Sequence, residues 1–385
     1  MKDRISGIGV IASCRLLTRI AVLFLCGLPL TGCTERSEYR IGENAMRHAE
    51  LLAMSDSAGH ICAHIANPWK RGRLLCRYHI CSTASTGCDD LKGNGYTVCG
   101  TFKRVIVTSN CHARLLSTLG LDSCIAGVCE SEYITDSVIL KGIRDGRIAD
   151  CGNSMHPDIE KIIELSPDAF MVTPFEESGF GQLEKLDIPF IECADYMETS
   201  PLGRAEWMRF YGRLFNAAEK ADSMFRAIET RYDSLKEIVS QTASRPVVMV
   251  DLKGSSAWYV PGGNSTVGHL IEDAGGNYIF SDIRKNGSVP QSFETVFDKG
   301  SESDIWLLKN STTKPLTYRL LEKDCSYYSH FRPFAEHNIW VCDVMDVPYF
   351  EETAFHPDLL LEEMISIFHP ETGAAGGRYY HPLEQ

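Results

Sequence analysis

From Lys103 onward the chain alternates short runs of β-branched residues with amphipathic stretches. RVIVTS predicts a strand, HARLLSTLG a helix stopped at Gly120, and SCIAGV a second strand. DIEKIIEL then predicts a helix, AFMVT a strand, FGQLEKLD a helix and PFIEC a strand. Strands separated by single short helices predict a parallel sheet with right-handed crossovers. AEWMRFYGRLF adds a further amphipathic helix.

The period changes at NAAEKADSMFRAIETRYDSLKEIVSQ. Asn216, followed three places on by Glu219, has the form of a capping box. Apolar residues then recur at Ala218, Ala221, Met224, Phe225, Ile228, Tyr232, Leu235 and Ile238, a helical face sustained over the whole segment. About 25 residues at a rise of 1.5 Å give roughly 37 Å, enough to cross a domain. RPVVMVDL restarts the alternation as a strand, NSTVGHLIEDAGG predicts a helix ending at Gly275 and Gly276, SFETVFDK a helix and DIWLLKN a strand. The chain therefore reads as lobe, long helix, lobe.

The two lobes echo each other. A helix opens with Asp158-Ile159-Glu160-Lys161-Ile162-Ile163 in the first and with Ser292-Phe293-Glu294-Thr295-Val296-Phe297 in the second, and an aspartate opening a strand follows each, Asp168 and Asp304. Glutamate in a first turn complements the helix dipole wherever it occurs. Its recurrence at equivalent places predicts a duplicated architecture. Ahead of the lobes, HICAHIANPWKRGRLLCRYHI alternates polar and apolar residues around Asn67-Pro68 and Arg71-Gly72, which predicts a β-hairpin. This segment is too small for its own core and is expected to pack on the next domain.

The N-terminus differs from all of this. Lys2, Arg4, Arg15 and Arg19 precede an apolar run from Ile20 to Leu30 that is too short to span a bilayer, the form of a secretory signal. Its last residues, Leu30-Thr31-Gly32-Cys33, resemble the bacterial lipoprotein signal, in which the cysteine is acylated and becomes the first residue of the mature protein. Cys33 is then a lipid tether, and the remainder is held at a membrane surface outside the cytoplasm. The expected organisation is a leader over 1–33, an extension over 34–100, a first lobe over 101–215, a linking helix over 216–242 and a second lobe over 243–385.

Charge and cysteines narrow the picture. The net charge of −13 argues against nucleic acid and against anionic lipid as partners. Of fifteen cysteines, Cys14, Cys26 and Cys33 belong to the leader, which leaves an even number in a compartment that permits disulfides. The spacings Cys76-x4-Cys81 and Cys124-x4-Cys129 are not the close pairs of a zinc site, so buried thiols or disulfides are expected and no protein-held metal.

Taken in order, these features resemble the bacterial solute-binding proteins of the cobalamin and iron-siderophore or haem class, which serve ABC importers. The likeness runs from Phe102 to Pro382 and is carried by RVIVTSNCHARLLSTLG, by the Gly152-Asn153 pair ahead of DIEKIIELSPDAFMVT, by the single long helix, and by WYVPGGNSTVGHLIEDAGGNYIF and VPQSFETVFDKGSESDIWLL. The resemblance implies an α/β fold of two Rossmann-like lobes with parallel sheets, joined by one long helix, the class III arrangement. It implies small domain motion, no enzyme activity, no resident cofactor, a metal chelate as cargo, and a monomer that partners an ABC permease and its ATPase. It also implies that Glu160 and Glu294 dock onto the permease.

Open α/β sheets bind ligands at the carboxyl ends of their strands. Those ends hold Ser109, Asn110, His112, Glu130, Tyr133, Thr173, Phe175, Asp195 and Tyr196 in the first lobe. In the second they hold Lys253, Ser256, Trp258, Tyr259, Arg284, Asn310 and Tyr349. Aromatics would supply flat apolar area, and Lys253 or Arg284 would pair with anionic groups. No arginine triad for a tris-carboxylate siderophore is evident, nor a His/His/Asp set for a bare ion, so corrinoid, haem and iron chelate all stay open. The rival reading is an extracytoplasmic hydrolase or chelatase-like enzyme using Cys111, His112, Glu130 and Asp195. Against it, adjacent residues point apart, and no G-x-S-x-G, H-E-x-x-H or Walker loop is present.

Overall fold

The computed structural model describes residues 43–57, 60–81, 95–176, 179–186, 188–254 and 256–385. Cys33 and the leader lie outside the described residues. No helix among the described residues is long and apolar enough to cross a membrane.

The extension forms a four-stranded sheet of β1 (Leu52–Ser57), β2 (His60–Ala66), β3 (Leu74–Cys81) and β4 (Gly95–Cys99), in that spatial order. β2 and β3 are the two arms of the expected hairpin; β1 adds to it antiparallel, and β4 adds parallel. Alternation sends Ala63, Ile65, Cys76, Tyr78 and Ile80 inward, where they join the main core. Tyr78 reaches furthest. Its hydroxyl donates to the Phe190 carbonyl at 2.8 Å and accepts from the Glu192 amide at 3.0 Å, and its ring tilts against Phe210.

In the first lobe, β5 (Val105–Val107), β6 (Ile125–Val128), β7 (Ala149–Asp150), β10 (Ala169–Val172) and β11 (Phe190–Glu192) form a parallel sheet in the order β11-β10-β5-β6-β7. Val105–Val107, Ile125–Val128 and Ala169–Val172 are buried throughout, as strands covered on both faces must be. A small hairpin of β8 (Gly152–Asn153) and β9 (His156–Pro157) follows β7. FGQLEKLD forms a 3-10 turn over Gly181–Lys185 in place of the expected helix. AEWMRFYGRLF is interrupted at Trp207, whose backbone N–H bonds only three residues back to the Arg204 carbonyl at 3.3 Å, leaving helices over Pro201–Glu206 and Met208–Leu214; the Trp207 ring is buried and its indole N–H donates to Glu198 at 2.8 Å.

The long helix runs Ala218–Ser240, 23 residues and about 35 Å. Asn216 is not its cap: it sits in the left-handed region at φ 56°, and Ala217 precedes the first turn without a side-chain hydrogen bond. Its N-terminal half is tied to the first lobe by Arg209 and Arg213 on Asp222. Its C-terminal half is tied to the second by Arg231 on Asp358, by Lys236 on Asp273, and by the Tyr232 hydroxyl on Asp273.

In the second lobe, β12 (Val247–Val250), β14 (Asn277–Tyr278), β16 (Ile305–Asn310), β17 (Ile339–Asp343) and β18 (His381–Pro382) form a sheet in the order β14-β12-β16-β17-β18, parallel except for β18. A separate antiparallel pair, β13 (Trp258–Pro261) and β15 (Ser288–Gln291), lies between. In each lobe the first strand stands inside the sheet with later strands on both sides, which sets a topological switch point at its carboxyl end.

Candidate functional site

A cavity of about 1110 Å³ opens at the carboxyl ends of the two parallel sheets. Thr108, Ser109 and Asn110 enter it after β5, Glu130, Tyr133 and Thr135 after β6, and Thr173 and Phe175 after β10. Ser311 enters after β16, and Val344, Met345, Val347, Pro348, Phe350 and Glu351 after β17. The β8–β9 hairpin adds Ser154, Met155, His156 and Pro157, and the turn near residue 180 adds Phe180 and Leu183. Tyr133, Phe175, Met155 and Phe350 are each about half exposed, at 50, 45, 59 and 53%. That leaves apolar and aromatic area in the cavity for a ligand to cover.

Glu130 organises one wall. It adopts the left-handed backbone at φ 53°, uncommon for a residue with a side chain. Its Oε1 accepts from the Asn153 amide side chain at 3.0 Å, the Ser154 N–H at 2.9 Å and the Ser154 hydroxyl at 2.7 Å. The hairpin tip is thereby held against the end of β6. Glu351 joins the lobes: it accepts from the Thr135 N–H at 2.9 Å and from the Thr135 hydroxyl. Arg114 spans the same junction, with Asp136 at 2.7 Å and Glu352 at 2.8 Å. The acidic and basic side chains lining the cavity among the described residues are Glu130, Glu351 and His156, with no lysine or arginine.

Ser109, Asn110, Glu130, Tyr133, Thr173 and Phe175 are thus brought together on one cavity, and the other residues expected there are not. His112 and Asp195 lie behind it and are buried, because the helix Asn110–Thr118 turns His112 inward against Tyr211 and Phe355. Tyr196 backs the wall, its hydroxyl bonded to the Pro174 carbonyl at 2.7 Å and its ring tilted on Phe175. Trp258 is fully buried and stacks on Trp306 at 5.8 Å, since β13 turns it onto the core. Lys253, Ser256, Tyr259 and Arg284 are exposed on that same flank and do not line the cavity. Asn310 is buried, donating to the Lys314 carbonyl and to Asp343, and Tyr349 is buried edge-on against Tyr379 and Tyr380. The residues missed on the second lobe are Ser311 after β16 and Val344, Met345, Val347, Pro348, Phe350 and Glu351 after β17, each within a few places of Asn310 or Tyr349, which were expected there.

The buried group around His112 has the composition of a catalytic row. Its Nδ1 lies 3.8 Å from the Cys111 sulfur and its Nε2 lies 2.7 Å from Asp195 Oδ1. Burial opposes charge on His112, but Cys111, Cys193 and Asp195 raise its pKa well above the ordinary range. Burial likewise opposes charge on Asp195, but His112 and Arg204 lower its pKa to about 2. None of these side chains is among the described residues lining the cavity. His112, Cys193 and Asp195 bring metal-ligating atoms within 4.8 Å of one another, but Arg204 at 3.2 Å and the Tyr211 hydroxyl at 2.9 Å already satisfy Asp195. The group is a paired, buried network.

Glu160 and Glu294 are both exposed, each in the first turn of a capped helix.

Residues 105–331 match the periplasmic binding protein family, and the chain belongs to it. Proteins of this family bind solutes and are not enzymes. The chain is 28% identical over 291 residues to an uncharacterized lipoprotein of Methanocaldococcus jannaschii, covering 72% of this chain and 67% of that one. It is 24% identical over 193 residues to the petrobactin-binding protein of Bacillus subtilis, covering 47% of this chain and 59% of the relative. Its fold matches the crystal structure of a periplasmic heme binding protein from Pseudomonas aeruginosa with a TM-score of 0.59 at 14% identity, over 74% of this chain and 99% of that one.

Proposed function

We propose that the chain captures a metal chelate in the cavity between its lobes and delivers it to an ABC permease. It works outside the cytoplasm as a monomer, on a lipid tether at Cys33, and the permease is driven by its ATPase. The observation that carries this reading is the cavity itself. Its volume of about 1110 Å³ lies just above the roughly 300–1,000 Å³ of small-molecule sites, which suits a bulky ligand. Aromatic and apolar side chains from both lobes face one another across it, with a few hydroxyl and amide groups among them. The likeness to proteins named for petrobactin and heme binding supports a chelate as cargo, and the signal-like leader and the lipoprotein relative support the tether.

The charge of the lining narrows the cargo. An anionic ligand buried there would meet Glu130 and Glu351 and, among the described lining residues, hydroxyl, amide and imidazole groups but no lysine or arginine to pair with. A neutral or cationic chelate suits the site better: a hydroxamate-type ferric complex or a corrinoid, ahead of haem with its propionates or a citrate-type complex. Thermal melting of the full chain with a ferric hydroxamate, cobalamin, haem and ferric citrate tests both levels. At 100 times its dissociation constant the preferred chelate stabilises the fold by about 2.7 kcal/mol. No shift with any of them overturns the transport reading; tightest binding of haem or ferric citrate overturns the charge argument alone.

A further inference from the structure

The tripeptide His-Ile-Cys occurs twice in the extension, as His60-Ile61-Cys62 and as His79-Ile80-Cys81. The first lies on β2 and the second on β3, and these strands run antiparallel in a register that pairs His60 with Cys81, Ile61 with Ile80 and Cys62 with His79. The two tripeptides are therefore related by a local two-fold axis through the isoleucine pair. Side chains alternate across a strand, so the isoleucines turn toward the core while all four donors stand on the opposite face. Ile80 is buried, His60 is exposed, Cys62 and His79 are half-buried, and Cys81 is buried.

We infer that this face binds a tetrahedral borderline metal ion, zinc(II) by its donor set, independently of the chelate cavity. Two thiolates and two imidazoles are the complement of a closed, four-ligand zinc site. The donors already meet in cross-strand pairs: Cys81 Sγ is 3.5 Å from His60 Nδ1, and Cys62 Sγ is 3.8 Å from His79 Nε2. A tetrahedral ion with Zn–S of about 2.3 Å and Zn–N of about 2.05 Å holds its sulfur and nitrogen roughly 3.6 Å apart. Each pair therefore stands near the spacing that one edge of the tetrahedron needs. The two pairs flank the Ile61–Ile80 rung and stand two residues apart along each strand, about 6.6–6.8 Å, so one ion between them draws the side chains toward one another by rotation. Beyond them the ladder continues with His64 opposite Arg77, so the thiol-imidazole pattern ends there. The usual C-x-x-C spacing belongs to a tight turn; on a strand the same convergence takes alternate residues, H-x-C, from each of two neighbours. On binding, each thiol releases its proton to solvent and keeps its electron pair for the metal, with no redox change.

Cobalt(II) titration of the full chain, reduced and metal-free, tests the site by absorbance. One equivalent is expected to give thiolate-to-cobalt charge transfer with the visible bands of a tetrahedral ion, and one equivalent of zinc(II) is expected to displace it. The C62S/C81S variant is expected to bind at least 100-fold more weakly, and C193S within twofold of the parent. Should C62S/C81S fail to fold by circular dichroism, H60Q, which alters an exposed side chain, is expected to weaken binding at least 10-fold. Absence of a saturable tetrahedral spectrum in the folded parent overturns the inference. So does unchanged affinity in the folded C62S/C81S or H60Q variant, or a spectrum lost in C193S, which would move the ion to the buried cluster.

Discussion

Glu160 and Glu294 occupy the same helical position in different lobes. Each is the second residue of its helix, and each helix is capped by the side chain two places before, Asp158 on the Lys161 N–H and Ser292 on the Thr295 N–H. Both carboxylates are exposed. If they dock the permease, charge reversal at both positions is expected to abolish uptake and leave chelate affinity within twofold. Stability should fall only slightly, since both side chains are exposed and lose no more than a solvent-screened helix-dipole interaction. Uptake by cells carrying the double variant, beside equilibrium binding of the purified protein, checks this; undiminished uptake removes the docking role.

Tyr133 and Phe175 line the cavity and are each about half exposed. Replacing either by alanine is expected to weaken chelate binding by about 1–2 kcal/mol, roughly 5- to 30-fold, through lost apolar contact. Melting of the ligand-free protein should hardly change. Calorimetric titration with whichever chelate shifts the melt measures the effect.

Trp258 gives the opposite signature. It is buried against Trp306, Tyr328 and Phe331, and truncation to alanine is expected to cost about 3–5 kcal/mol of stability. The fraction that stays folded should bind chelate with parental affinity. Urea unfolding combined with binding below the transition separates the two quantities.

The network at Asp195 predicts a pH dependence. Its carboxyl has a folded pKa near 2, below the ordinary carboxylate range, so its contribution is complete above the unfolded pKa and is lost as pH falls through the folded value. His112 is raised, so its contribution is complete below its ordinary value and is lost as pH climbs through the folded one. The parent is expected to lose stability between about pH 4 and pH 2 partly through Asp195. D195N is expected to flatten that limb and to cost about 3–5 kcal/mol near neutrality, because it strands a buried cation. Thermal melts across the range decide it, and an unchanged acid limb in D195N refutes the assignment.

The parallel strands were legible because buried strands show as unbroken apolar runs, and RVIVTS, AFMVT and DIWLLKN are of that kind. The first-lobe rim followed from where those runs stop, which is how Ser109, Glu130 and Phe175 came to be named. The second-lobe rim did not. The segment after RPVVMVDL turns back as the antiparallel β13–β15 pair and buries Trp258, and an aromatic at a strand end reads the same whether it faces a ligand or a core. Asn216 and Glu219 carry capping chemistry at the right spacing, but Asn216 took the left-handed turn that ends the preceding helix. His112 and Asp195 are far apart in sequence, and their pairing exists only in three dimensions.

The Tyr78 hydroxyl has a consequence for the edge of the first-lobe sheet. It fills both an outward carbonyl and an outward amide of β11, the strand at the margin of the first-lobe sheet. A bare margin invites the same margin of a neighbour to zip onto it. Here the extension already covers that margin and one phenol meets both of its groups, so a Y78F protein should lose about 1–3 kcal/mol of stability, through polar groups left buried without a partner, and should not self-associate.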